Sequence, residues 1–185
     1  GNIAEKAQQE KSIPQITYEN VTYGEHPNQV IDNRKAKVEK SAPLVVFIHG
    51  GGFTGGSHDK VNSKAVQQYL DAGIHHASLE YRFLKHADFP AAHEDCIRAL
   101  QFIRSKAKEW VIDKNRIAGY GGSAGAQLVA SGAVGGPSLD NLSCKSKPEK
   151  CHKIPPSLLS NQKVLWITHH RTNSAQGGAH CTVHY

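Results

Sequence analysis

Two glycine-rich turns contain the residues of this 185-residue chain that could do chemistry. The first reads His49-Gly50-Gly51-Gly52-Phe53, and the second reads Gly121-Gly122-Ser123-Ala124-Gly125. Each turn directly follows a short run with the character of a buried strand, Leu44–His49 in one case and Arg116–Tyr120 in the other. Because the carboxyl ends of adjacent parallel strands meet at one edge of a sheet, we expect the two turns to build a single site.

Ser123 is the candidate nucleophile of that site. A serine hydroxyl is a weak nucleophile at neutral pH, and it needs a neighbouring base and an unobstructed approach. Gly121 and Gly125 leave the approach open, because side chains there would strike the adjacent strand or helix. Backbone N–H groups could then hold the oxyanion of an acyl-transfer reaction, and each is worth about 10²–10³ in rate. The candidate donors are Gly51, Gly52 and Ala124.

The apolar pattern around the turns alternates between strand-like and helix-like segments. Leu44–Ile48 is apolar on both faces, as expected for a central parallel strand covered by helices on both sides. Further segments extend the pattern: helices are predicted at Asn62–Ala72, Ala91–Trp110 and Ala124–Ala133, and strands at Gln15–Tyr23, Gln29–Arg34 and Ile74–Phe83. We therefore expect an α/β fold with a mostly parallel sheet, helices on both faces and an antiparallel hairpin at the N-terminal edge.

Composition divides the chain into three parts. Residues 1–14 form a polar extension, residues 15–135 form the α/β core, and residues 136–185 form an irregular basic tail with one strand-like run at 163–168. The tail contributes an excess of four positive charges to the net charge of +6, but it holds only one arginine and few aromatic residues. Nucleic-acid binding favours clustered arginines with interleaved aromatics, so we expect no nucleic-acid partner.

The ends and the hydropathy of the chain say little about its location. No apolar run approaches the roughly 20 residues that a membrane span requires, so we expect a soluble chain. The sequence contains no methionine and begins at Gly1, which suggests a processed, exported chain or a fragment. The sequence defines neither the compartment nor the oligomeric state.

The two turns resemble those of the hormone-sensitive-lipase-like and carboxylesterase branch of the α/β-hydrolases. In that fold G-x-S-x-G exposes the nucleophile and H-G-G-G supplies oxyanion donors. The resemblance runs from about Tyr18 to Ser131, and it is carried by His49-Gly50-Gly51-Gly52-Phe53, Tyr81-Arg82 and Arg116–Ala126. It implies that Ser123 is the nucleophile, that His49 orients its loop and is not the base, that the substrates are small carboxylic esters, and that no cofactor is used.

The remainder of the triad departs from the family's pattern. The family's acid and histidine follow the serine on loops after later strands. After Ser123 the only acids are Asp140 and Glu149, and both lie in the irregular region. His169 and His170 follow the strand-like run and are the best local candidates for the base, with Asp140 as the acid. The C-terminal third is therefore expected to be truncated or altered relative to the family.

Three other interpretations remain open at this stage. The missing acid–base pair fits a catalytically silent α/β-hydrolase-like fragment or binding protein. Gly50-x-Gly52-x-x-Gly55 matches the dinucleotide-binding pattern, although no helix opens directly after it. The tail also contains residues that could bind zinc: Cys144, Cys151, His152, Cys181 and His184. Their spacing misses the usual ligand pattern, so no metal is predicted. The pair His75-His76 is expected to place one ring inside and one outside, without a metal.

Overall fold

The computed structural model describes residues 13–134 and 163–168 of the chain. The described elements run in the order β1 (Tyr18–Thr22), β2 (Val30–Arg34), β3 (Ala42–Ile48), α1 (Ser63–Asp71), β4 (His75–Leu79), α2 (Ala91–Ser105), β5 (Ile112–Gly121), α3 (Ala124–Val134) and β6 (Lys163–Thr168). The six strands form one sheet in the order β1-β2-β4-β3-β5-β6. The last strand coincides with the strand-like run of the basic tail.

Parallel pairing is found at the centre of this sheet. β3 pairs in parallel with both β4 and β5, whereas β1 pairs antiparallel with β2, β2 with β4, and β5 with β6. The predicted N-terminal hairpin at the sheet edge is therefore confirmed. The predicted α/β arrangement is also confirmed, with a mixed sheet in which the parallel part carries the two glycine-rich turns.

Helices cover both faces of the sheet, as predicted. On one face Tyr69 of α1 packs with Val45 of β3 and with Ala118 and Tyr120 of β5. On the other face α2 and α3 cover a larger cluster, whose buried members include Val46, Leu79, Ala99, Ile103 and Leu128. The apolar character of both faces of β3 thus follows from burial on both sides.

Three local predictions about these elements were wrong. The strand predicted at Ile74–Phe83 ends at Leu79. Helix α2 ends at Ser105 and not at Trp110, because the Lys106 N–H is shared between the carbonyls of Phe102 and Ile103 and the chain continues in tight turns. Trp110 is still buried and stacks on Tyr18 with ring centroids 5.2 Å apart.

The histidine pair of β4 was also mispredicted. Both His75 and His76 are fully buried, since β4 lies inside the sheet with both faces covered. His75 Nδ1 accepts a hydrogen bond from the Ala36 N–H (2.9 Å), and His76 Nε2 lies 2.8 Å from the Tyr120 hydroxyl. Both rings are therefore part of the packed interior, and burial lowers the pKa of each.

Candidate active site

The register of the central strands brings the two glycine-rich turns together. Ile48, the last residue of β3, pairs with Gly121 at the end of β5, so the chain leaves the sheet at adjacent points after both strands. A Cβ atom placed on Gly50 would lie 2.7 Å from the Gly122 carbonyl oxygen and 3.5 Å from Ser123 Cβ. The two turns are therefore in direct contact at the carboxyl edge of the sheet.

Ser123 occupies a sharp turn between β5 and α3. Its φ of 52° lies in the left-handed region, which costs a residue with a side chain roughly 1–3 kcal/mol. The turn is fixed by the Gly125 N–H, which donates to the Gly122 carbonyl (2.9 Å), and by the Gln127 N–H, which donates to the Ser123 carbonyl (3.2 Å). Ser123 is exposed at the start of the helix. A strained backbone that presents a hydroxyl to solvent is the geometry of a nucleophile elbow.

The glycines on either side of Ser123 are required by close backbone packing. A Cβ atom on Gly121 or on Gly125 would overlap the Ile48 carbonyl oxygen of the neighbouring strand. At Gly122, in contrast, an added Cβ would meet nothing within 4 Å. The G-x-S-x-G spacing is therefore a packing requirement of the contact between β3, β5 and α3.

The first glycine-rich turn exposes its backbone N–H groups. Gly51 and Gly52 have φ values of 120° and 60°, and both are exposed. The Gly51 carbonyl accepts from the N–H groups of Thr54 (3.1 Å) and Gly55 (3.2 Å), which closes the turn. Across residues 13–134 and 163–168, neither the Gly51 nor the Gly52 N–H meets an acceptor. These two groups are available to a ligand at the edge where Ser123 lies.

His49 is buried beneath this turn and ties it to the end of β4. Its ring stacks on Tyr81, with centroids 4.5 Å apart and planes at 15°. Its Nε2 lies 2.7 Å from Glu80 Oε1, and the Tyr81 hydroxyl donates to the His49 carbonyl (3.0 Å). Both the ring and the carbonyl of His49 are thus engaged by the residues that follow β4, which ties the first turn to that strand.

Glu80 also binds His58 at the other end of the same turn. The His58 N–H donates to Glu80 Oε2 (3.2 Å), His58 Nδ1 lies 3.1 Å from that oxygen, and His58 Nε2 lies 3.4 Å from Asp32 Oδ2. Burial favours the uncharged forms of these groups, but their hydrogen bonds outweigh it. The pKa of Glu80 falls to about 2 because of His49 and His58, and the pKa of His58 rises to about 9 because of Asp32 and Glu80.

A second buried carboxylate holds the segment that follows β4. Asp95 is fully buried in α2 and accepts Arg82 Nη2 at 2.7 Å and Arg82 Nε at 2.9 Å. Its oxygens also accept from the Arg82 backbone N–H (2.9 Å) and from Gln29 Nε2 (2.7 Å). The Leu84 N–H in turn donates to the Phe53 carbonyl (2.8 Å), so this segment is joined to the first glycine-rich turn.

The predicted base and acid are not among the described residues. His169, His170 and Asp140 lie outside them, as do the possible zinc ligands of the tail. Within the described part of the chain, Ser123 Oγ has no hydrogen-bond partner, and no group of three or more His, Cys, Asp or Glu side chains could hold a metal ion.

The direction of β6 bears on where the base could come from. β6 runs antiparallel to β5, with Lys163 beside Gly121 and Thr168 beside Arg116. The start of β6 therefore lies beside the carboxyl end of β5, where Ser123 is found. The last residue of β6 lies about 17 Å away, five residue steps along β5 from Gly121 to Arg116.

Sequence reasoning missed four residues that fix the site: Asp32, His58, Glu80 and Asp95. Their signal is weak because single acids and a loop histidine are ordinary surface residues in a sequence. The position of Glu80 gave the strongest clue, since it directly follows β4 and must end beside His49 when Ile48 pairs with Leu79. The family resemblance named Tyr81-Arg82 but not their partners.

Two surface grooves lie away from Ser123. One, of about 750 Å³, is lined by residues around β1 and α1, including Pro14, Lys35 and Leu70. The other, of about 520 Å³, borders the network under the first turn and is lined in part by His58 and Glu80. Neither lining includes Ser123. In the described part of the chain, no helix has the length and apolar character needed to cross a bilayer.

Fold and site geometry together define an α/β-hydrolase. A profile of the BD-FAE family matches residues 31–154, more than half of the chain, and the chain belongs to that family. The predicted resemblance to the hormone-sensitive-lipase-like and carboxylesterase branch is confirmed, since the similar proteins are esterases.

Three relatives illustrate this kinship. The chain is 35% identical over 107 residues to carboxylesterase NlhH of Mycobacterium tuberculosis, with 55% of this chain and 34% of that protein covered. It is 37% identical over 90 residues to an arylesterase of Saccharolobus solfataricus, with 48% and 29% covered. The structure of a bacterial heroin esterase superposes with a TM-score of 0.53 at 31% identity, covering 61% of this chain and 37% of that one. The chain spans about a third of the length of the curated relatives it matches.

Proposed function

We propose that this chain contains the nucleophile and the oxyanion-binding N–H groups of a serine carboxylesterase. Ser123 attacks the carbonyl carbon of a small carboxylic ester, the alcohol leaves, and water then releases the acyl group from the serine. The N–H groups of Gly51, Gly52 and Ala124 stabilise the negative oxygen that develops during each attack. The carrying observation is the contact between the two glycine-rich turns, which joins an exposed, strained serine to unoccupied N–H groups.

Electrostatics favour a site in which one turn supplies the nucleophile and the other supplies oxyanion donors. An oxyanion carries a full negative charge that substrate carbonyls lack, so rigid N–H donors bind the transition state more strongly than the ground state. The acidic groups of the site, Glu80 and Asp32, are engaged by histidines below the first turn. Protonated His58 offsets part of their negative charge, which weakens their repulsion of an anion at Ser123.

The base and the acid remain proposals from the sequence. His169 or His170 would accept the Ser123 proton, and Asp140 would orient that histidine. Since Thr168 pairs with Arg116, the chain would have to return from the opposite edge of the sheet to bring either histidine to the serine. Replacing the true base by alanine should slow serine labelling at least about 10²-fold. Equal labelling of His169→Ala, His170→Ala and wild type would exclude both residues.

The nucleophile is tested with a fluorophosphonate probe and p-nitrophenyl acetate. We expect mass spectrometry to find the probe on Ser123, and we expect Ser123→Ala to lose both labelling and ester turnover. Ser131→Ala is the matched control, because Ser131 Oγ donates only to the Gln127 carbonyl of its own helix. A folded wild-type chain that is neither labelled nor active would overturn the proposed function.

A catalytically silent binding protein is the second candidate function. It is favoured by one observation: no histidine within the described residues forms a hydrogen bond with Ser123. Turnover of p-nitrophenyl acetate that disappears in Ser123→Ala would exclude it. The dinucleotide interpretation has less support, because the turn after Gly52 continues through further turns and α1 begins only at Ser63. Tight NAD binding by calorimetry would revive it.

A further inference from the structure

His58 lies at the end of the first glycine-rich turn, where the sequence offers no reason to expect a special residue. Its side chain is 13% exposed and lies between Asp32 of β2 and Glu80 at the end of β4. Both ring nitrogens face carboxylate oxygens, which can only accept, so the doubly protonated ring satisfies both contacts. The ring thus joins two carboxylates on neighbouring strands.

The turn between His49 and His58 is rich in glycine, and Phe53 supplies its packing against Tyr81 and His93. Three of its glycines have positive φ values, and glycine contributes no side chain to packing: Gly51, Gly52 and Gly56. Glu80 holds both ends of the turn, since one carboxylate oxygen faces His49 at 2.7 Å and the other faces His58 at 3.1 Å. Gly56 lies so close to the His49 ring that a Cβ atom would overlap it. The two ends of the turn therefore close over one carboxylate.

We propose that His58, bridging Asp32 and Glu80, is a positioning residue that fixes the turn bearing the Gly51 and Gly52 N–H groups. This inference rests on the proposed function for its catalytic meaning, but its structural content stands on the contacts alone. Charge-assisted hydrogen bonds on both sides of the ring give the anchor its strength. His58 touches no reacting atom and acts only through the backbone of the turn.

Several other charged or titratable groups surround His58. Asp32 and Glu80 face it directly, and His49 shares Glu80 with it. Lys85 and His86 line the groove of about 520 Å³ that also contains His58, and they would compete with His58 for the carboxylate of Glu80. Since both acids are ionised well below neutral pH, the charge of His58 decides whether the bridge holds in alkaline solution.

Hydrogen exchange followed by NMR tests the anchor without requiring catalysis. The reporters are the amides of Thr54 and Gly55, which donate to the Gly51 carbonyl. In His58→Ala we expect these amides to exchange about tenfold faster, the effect of losing a charge-assisted hydrogen bond. In His86→Ala, which removes the exposed ring that accepts the Phe83 N–H but leaves the His58 bridge intact, we expect no change. Exchange at wild-type rates in His58→Ala would overturn the proposal.

If His58→Ala loosens the whole sheet, the amide of Ala77 in β4 will also exchange faster. A second measurement then tests the anchor in the wild-type chain. In the wild-type chain, the carbonyl ¹³C shifts of Gly51 and Gly55 should titrate with the same midpoint as the His58 ring. Titration with the midpoint of His86, or none at all, would contradict the anchor.

Ester hydrolysis then separates this inference from the proposed function. Donors that act mainly in the transition state affect kcat more than KM. We expect His58→Ala to lower kcat for p-nitrophenyl acetate about tenfold, while KM changes less than about twofold. If the wild type is inactive, the proposed function fails and the exchange data still decide the anchor. If the wild type is active and the variant keeps its kcat, the anchor has no catalytic role and the inference fails.

Discussion

At the scale of single residues, the site depends on where a side chain is absent. Gly121 and Gly125 let the backbone of α3 and β5 approach the Ile48 carbonyl, and that approach brings the serine beside the first turn. Ser123 in turn accepts an unfavourable φ of 52°. Strain of this kind persists only where the surroundings enforce it, and it is common at catalytic residues.

Gly121→Ala should therefore destabilise the fold. The new methyl group would overlap backbone and cannot be relieved by a rotamer change, so we expect a loss of about 2–4 kcal/mol in the free energy of unfolding. Gly122→Ala is the control, because its Cβ would enter open space and should change stability by less than about 0.5 kcal/mol. Urea unfolding of both variants gives the comparison. Equal stability of the two would show that the elbow tolerates a side chain at Gly121.

At the scale of elements, one ionic network below the first turn couples the middle of β2 to the ends of β3 and β4. Glu80 has its pKa lowered from 4.5 to about 2, so its stabilising contribution is present above 4.5 and is lost as the pH falls toward 2. His58 has its pKa raised from 6.5 to about 9, so its contribution is present below 6.5 and is lost as the pH rises through 9.

The free energy of unfolding should reflect this network. Between neutral pH and about 10, we expect the wild type to lose about 2 kcal/mol more than His58→Ala, because only the wild type has this proton to lose. His86→Ala, with an exposed ring, should follow the wild-type curve. Denaturant unfolding at a series of pH values measures the difference. Parallel curves for wild type and His58→Ala would mean that the bridge does not stabilise the fold.

Much of this architecture could be predicted from periodicity and turn chemistry. The apolar run of β3 and the glycines around Ser123 indicated a parallel sheet with both turns at one edge, because these patterns reflect local geometry. The end of α2 could not be predicted, since Trp110 keeps the helical spacing although the chain has already left the helix. The inward position of both His75 and His76 depends on β4 lying inside the sheet. The acids that bind His58 and Arg82 come from distant segments, and only tertiary structure brings them together.

At the scale of the whole molecule, Asp95 joins α2 to the segments before β2 and after β4. Its side chain is completely buried, while that of its partner Arg82 is 25% exposed. Removing Asp95 leaves the Arg82 guanidinium without its carboxylate partner and leaves Gln29 Nε2 without its acceptor. The contact network around the first turn thus extends into the helical layer.

Asp95→Ala should therefore lower the free energy of unfolding by about 2–4 kcal/mol. Glu94→Ala is the matched control on the same helix, since Glu94 is 65% exposed and lies 4.0 Å from Arg82. We expect that variant to change stability by less than about 0.5 kcal/mol. Thermal and urea unfolding should rank the two variants in this order, and the reverse order would be inconsistent with a structural role for Asp95.

Asp32 has a second contact, at the rim of the sheet. Besides holding His58, its carboxylate accepts the Asn20 N–H at 2.7 Å, where β1 shifts its pairing with β2 and Asn20 takes a φ of 48°. An outer strand with regular, unpaired backbone groups invites a strand from another molecule, and an irregularity in it discourages such growth. We therefore expect the Asp32–Asn20 contact, which holds this irregularity in place, to disfavour edge-to-edge pairing of β1 with another molecule.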